Sequence, residues 1–265
     1  VKALVHERAS ANGSVVAVGG FAGVGIINPT ATVGGTVTTG FDGTVTNANT
    51  VTVSANVDAS TLSDGSAVAV ALGGGGSDVR VTATTSPVVA TTVSGNIKAS
   101  GDIVVESVVG TKTEGYASAT GVALGVTIGS ITVNAKADAD IDTTVAGTGQ
   151  LTSTGGNIRV GSYHNFAYAP GAGDFIGANT VSAQSRSLTI GLLFQTNSAS
   201  VNADAQSDVT TSAAAGSNFD AALGKVTVES RSGNFAVADA KAQGGGLISV
   251  SGDVDPFAQS RGNTT

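Results

Sequence analysis

Apolar and polar residues alternate through long stretches of this chain. Val133, Ala135, Ala137, Ala139 and Ile141 are interleaved with Asn134, Lys136, Asp138, Asp140 and Asp142. A period of two predicts a β-strand with one face buried and the other in solvent. Gly, Asn, Asp and Ser punctuate the runs where turns are needed. No helix longer than one turn is predicted. His6-Glu7-Arg8 is the one locally helix-like stretch, and it falls on the strand register.

The alternating runs recur. Val51, Ile103, Ile158 and Val226 sit at equivalent places in similar contexts, at spacings of 52, 55 and 68. Other anchors give the same steps. Ser14-Val15-Val16-Ala17-Val18-Gly19 returns as Ser66-Ala67-Val68-Ala69-Val70-Ala71, and Thr30-Ala31-Thr32 as Thr82-Ala83-Thr84, both after 52 residues. Val133-Asn134-Ala135 returns as Val201-Asn202-Ala203 after 68. Similar units at a fixed period stack on one another, because no unit can bury its apolar face alone. The predicted fold is therefore all-β: a parallel β-solenoid, or β-helix, of about five stacked units. The units run over 1–48, 49–100, 101–155, 156–223 and 224–265, as one repetitive segment of a longer chain. The spacing leaves open whether 52 residues make one wide coil or two narrow ones.

Composition narrows the picture. The chain has 38 Gly, no Cys, Met or Trp, 4% aromatic and 12% charged residues. Its core must be thin and built from Ala, Val and Gly. The net charge is −7 and the basic residues are scattered, which excludes nucleic acid as a partner. No apolar run reaches the roughly 18 residues of a membrane span. Without Cys there are neither disulfides nor thiolate metal sites.

The run Val93-Ser94-Gly95-Asn96-Ile97-Lys98-Ala99-Ser100-Gly101-Asp102-Ile103-Val104-Val105-Glu106-Ser107 resembles the repeats of filamentous-haemagglutinin-like bacterial surface adhesins, as does Tyr116-Ala117-Ser118-Ala119-Thr120-Gly121. That resemblance implies a secreted, very long β-solenoid, extracellular or at the cell surface. It implies a structural segment of a filament, stalk or surface protein that mediates assembly or adhesion. The implied partners are neighbouring copies or segments of the same protein, surface glycans, or a host or neighbouring cell surface. The alternative is a polysaccharide-binding or polysaccharide-processing β-helix, which needs clustered carboxylates with a base or Arg nearby. Asp138, Asp140 and Asp142 supply the first but nothing evident supplies the second. His6 and His164 are the only histidines and lie over three units apart. No nucleophile elbow or His-Glu-x-x-His motif is present, so the chain is read as a non-enzyme with no cofactor.

Two places stand out. The 68-residue step exceeds its neighbour of 55 by 13, and the excess is placed at 163–177. The similarity of Leu188-Thr189-Ile190-Gly191 to Val126-Thr127-Ile128-Gly129 supports this placement. An insertion into a solenoid must loop off the stack. This one carries Tyr163, His164, Phe166, Tyr168 and Phe175, and aromatics on a loop suit partner contact. Stacking also sets Asp140 over Asp208 and Lys136 over Asp204. Two carboxylates one strand apart repel unless splayed, protonated or bridged. Calcium between Asp140 and Asp208, assisted by Asp138 or Asp142, is the metal expectation.

Overall fold

The computed structural model describes the chain except residues 170, 171 and 176–179, and except the side chains of 167–169, 172–175 and 251. Among the described residues there is no helix. The first coil holds β1 (Lys2–Gly19), β2 (Ala22–Ile27), β3 (Thr30–Val33), β4 (Thr36–Phe41) and β5 (Thr44–Ala48). The second holds β6 (Val51–Ala71), β7 (Gly74–Thr85), β8 (Val88–Val93) and β9 (Asn96–Ala99). The third holds β10 (Ile103–Ala123), β11 (Val126–Val145) and β12 (Gln150–Ser153). The fourth holds β13 (Ile158–His164), β14 (Phe166–Ala169), β15 (Ala172–Phe175), β16 (Val181–Gly191), β17 (Phe194–Ala213) and β18 (Asn218–Ala221). The fifth holds β19 (Val226–Ser232), β20 (Ala236–Gly245) and β21 (Ile248–Arg261).

The fold is a parallel β-solenoid, and each repeat makes one wide coil. Lys2 pairs with Ser54 and Val51 with Ile103, so the ladder advances one whole repeat per strand. Coils one to four each cross three sheets, and the described part of coil five crosses two. The first runs β1-β6-β10-β13-β19 with β16 and β20; the second runs β2-β7-β11-β17-β21 with β3, β4 and β8; the short third runs β5-β9-β12-β18. The two long sheets face each other, and the third closes one end.

The core is graded across this section. Near the sharp turn joining the long sheets it is mostly Ala and Val, including Ala67, Ala119, Ala135 and Val81. At the three-sheet end, where the walls diverge, it is Ile97, Ile103, Leu151 and Ile158. Gly65 shows how close the walls come: a Cβ there would sit 2.9 Å from methyls of both Val79 and Val81. In the middle the walls are joined by hydroxyls. Thr91, Thr143 and Thr211, at one place in successive coils, each donate to a carbonyl of the opposite sheet, those of Glu106, Gly161 and Glu229, at 2.9 Å. The hydroxyls meet backbone acceptors that water cannot reach, which removes the cost of burying them.

Candidate functional site

The chain leaves the stack after His164 and rejoins it at Val181. Before the insertion, Val109 pairs with His164, an offset of 55; after it, Thr113 pairs with Val181, an offset of 68. The same ladders correct one alignment: Leu188 stacks on Thr120, whereas Val126 stacks on Phe194, so Leu188–Gly191 and Val126–Gly129 belong to different sheets. Between the two points the chain makes an antiparallel hairpin, β14 with β15, in which Phe166 pairs with Phe175 and Tyr168 with Gly173.

The base of the hairpin is sealed by side chains. Leaving the ladder would orphan the Thr111 N–H, and Asn165 Oδ1 accepts it at 2.8 Å. Asn165 has φ of 56°, a left-handed conformation that Asn tolerates better than most residues. Its Nδ2 donates to Thr180 Oγ1 at 2.8 Å and to the Gly233 carbonyl at 3.3 Å. Nothing in the residue pattern around Asn165 signals this role.

His164 is 0% exposed. Its Nε2 lies 2.8 Å from Thr111 Oγ1 and its Nδ1 2.9 Å from Ser207 Oγ. Ser207 commits its one proton to Asn234 Oδ1 at 2.9 Å. His164 must therefore carry its proton on Nδ1 and accept from Thr111 on Nε2. Burial pulls its pKa down to about 4, against a weaker upward pull from Asn234. The ring is neutral near pH 7. A Ser–His contact enclosed on all sides reaches no substrate, so it joins coils and is no nucleophile.

Tyr163 points outward by strand parity, yet it is 1% exposed. Its ring lies over Gly161, whose missing Cβ would stand 2.3 Å from the hydroxyl oxygen. The hydroxyl donates to Glu229 at 2.9 Å. The Arg159 guanidinium stands 5.9 Å from the ring centroid and meets Glu106 at 2.7 Å. Burial pushes the Tyr163 hydroxyl well above its ordinary range, with Glu229 adding to it. Glu106 is also raised by burial, against the opposing pull of Arg159 and Lys2. Of the five residues expected to meet a partner, Tyr163 and His164 are thus inside the structure, with no face for one. Phe166 is half-buried at the hairpin base. The side chains of Tyr168 and Phe175 lie outside the described residues.

The acidic column forms in register: Asp140 pairs with Asp208 and Lys136 with Asp204. The side chains choose other partners. Lys136 reaches along its own strand to Asp138 at 2.7 Å, and Arg261 takes Asp204 at 2.9 Å. Asp208 accepts the Asn263 N–H at 3.0 Å. Partial burial raises Asp138, but hydrogen bonds from Lys136 and Gln206 outweigh this and hold it below its ordinary value. Asp142 is raised by partial burial and then by Asp140. Among the described residues no group of three or more His, Asp or Glu is disposed to hold a metal ion. A shallow depression lies here, lined by Asp138, Gln206, Asp208, Arg261 and Asn263. It brings an arginine beside the carboxylates, a proximity the sequence had not shown.

Compared with protein-family models, curated proteins and solved structures, the chain has no match.

Proposed function

We propose that this chain is a structural segment of an extracellular filament, stalk or cell-surface β-solenoid, working through assembly and adhesion. The observation that carries this reading is the strict register of the stack. Ile103 pairs with Val51 on one side and Ile158 on the other, and Ile158 pairs in turn with Val226, so each whole coil is the template for the next. Units that bury their apolar faces against their neighbours extend along one axis, which suits a filament, stalk or surface rod.

Electron microscopy of the native material tests the reading. Fibres of one coil's cross-section, with a repeat of about 4.8 Å along the axis, are the expected result. Compact monomers that do not associate end to end, and that leave cells and glycan surfaces unbound, would overturn it.

A further inference from the structure

The outer face of the first sheet carries a shallow groove that runs along the solenoid axis. Its floor is one ladder column, Ser14, Ser66, Ser118, Arg186 and Lys241, one residue from each coil. Columns on one face of a sheet stand two residues apart, about 6–7 Å. Those beside this one hold bulkier side chains, Asp64, Tyr116 and Gln184 on one side and Val68, Thr120 and Leu188 on the other. Short serines between taller walls make the hollow. Two depressions meet at Ser118: one of about 380 Å³ against Ser14, Ser66 and Asp64, and one of about 480 Å³ against Arg186, Leu188, Lys241 and Gln243.

Arg186 pairs in register with Lys241, the one place in the described ladders where a cation stacks on a cation. Like charges one strand apart destabilise each other. Elsewhere Arg80, Lys112, Lys136 and Arg231 each take a carboxylate two residues away on the same strand, Asp78, Glu114, Asp138 and Glu229. Arg186 has Gln184 and Leu188 at those places. Asp239, one diagonal step away, turns to Lys241 at 3.4 Å. Arg186 is exposed and meets no carboxylate among the described residues. In a chain of net charge −7, a guanidinium left facing a lysine in a hollow is a place for an anion from outside.

We propose that this groove binds an acidic saccharide, with a carboxylate or sulfate held between Arg186 and Lys241 and sugar hydroxyls against Ser118, Ser66 and Asp64. A guanidinium grips either oxyanion in a two-pronged contact. Serine hydroxyls and the amides of Gln184 and Gln243 both donate and accept, as sugar hydroxyls do. Asp64 accepts protons from hydroxyls but repels carboxylates. That suits a ligand whose charges are spaced apart, and not an acidic peptide with one at every residue. The groove also crosses the middle of a sheet, where no free strand edge exists for an extended peptide to join. Tyr116 stands on the wall with its hydroxyl donating to Glu114 at 3.1 Å, which holds the ring along the strand. Beyond Leu188 lies the turn between the long sheets, where Phe21, Leu72 and Leu124 are exposed. A lipid surface would use that turn and not the groove.

The site rests on the adhesive part of the reading above and gives it a ligand class. Binding to immobilised polygalacturonate, dextran sulfate and neutral dextran tests it. The wild-type chain should bind polygalacturonate or dextran sulfate, more weakly as salt rises, and leave dextran unbound. The preferred polymer tells carboxylate from sulfate. Arg186→Gln should keep its strand content by circular dichroism and weaken that binding about 10-fold. Arg8→Gln should leave it unchanged, because Arg8, exposed on the same sheet, lies in a depression shared with the carboxylates of Asp58 and Glu114. Failure to bind either acidic polymer, equal loss from Arg8→Gln, polyglutamate bound as tightly, or phosphatidylglycerol vesicles bound more tightly than both polymers would each overturn the proposal. Fibres that bind neither polymer sink this site and leave the assembly reading standing; chains that bind through Arg186 without assembling do the reverse.

Discussion

Ser107 Oγ lies 2.9 Å from Thr91 Oγ1 across the core, joining the first sheet of coil three to the second sheet of coil two. The link is one step of a zigzag. Ser107 also reaches the Asp142 carbonyl at 2.6 Å, and Ser162, one coil on, reaches the Thr210 carbonyl at 2.6 Å. With the threonines that answer from the opposite sheet, these hydroxyls tie every interior coil to both of its neighbours. A slip of one residue would turn them all outward and bring charged side chains in.

Removing one step should be felt locally. Ser107→Ala leaves the Asp142 carbonyl without its donor and should destabilise by about 1–2 kcal/mol. Hydrogen exchange should show the loss concentrated in β10, β8 and β11. Unchanged protection there would show that the ladder alone sets the register.

The closeness of the walls makes a size prediction. Gly65→Val places branched methyls against Val79 and Val81. Overpacking of this kind costs about 1–3 kcal/mol, read as a lowered urea midpoint.

His164 gives stability a pH dependence. Its folded pKa, about 4, lies below that of an unfolded histidine, near 6.5. The unfolded chain therefore takes up the proton first as pH falls. The stabilisation is complete above about pH 6.5 and is lost progressively toward pH 4, to a total of roughly 3 kcal/mol. His164→Gln should flatten that part of the stability–pH curve relative to wild type. Parallel curves would remove His164 as the cause.

Arg159 and Glu106 form a shielded pair, 10% and 15% exposed at the side chain. Arg159→Met should cost about 3–5 kcal/mol by leaving the carboxylate buried without its cation. Glu106 is already raised by burial, and the substitution should raise it further. Protonation relieves the unpaired charge, so the loss should shrink as pH is lowered from 7.5 to about 4.5. A loss independent of pH would point to packing alone. Glu106→Gln in the same chain should recover part of it.

Much of the site could be read before the fold was known, and part of it could not. Alternation from Ile158 puts Val160, Ser162 and His164 on one face, so the inward position of His164 was legible from parity. Tyr163 was not. Parity turns it outward, and its burial depends on a ring lying over Gly161 and on two carboxylates two coils apart, Glu106 holding Arg159 and Glu229 accepting the Tyr163 hydroxyl. Asn165 carries no signal of its own, because its task exists only where the ladder breaks. Arg261 reaches Asp204 and the acidic column from 57 residues away.

The sequence by itself determined the strands, the coil order, the in-register ladder and the coil that carries the insertion, whose bounds the ladder moves from 163–177 to 165–180. Alternation is local, and when similar units stack, the repeat distance is the register. Only the tertiary structure decided that each repeat closes as one wide coil. It also decided which hydroxyl meets which carbonyl across the core, and that the turn between the long sheets exposes an apolar edge. Those relations depend on where the chain bends and how far apart the walls then stand, which is fixed by packing across the coil and not by the pattern along it.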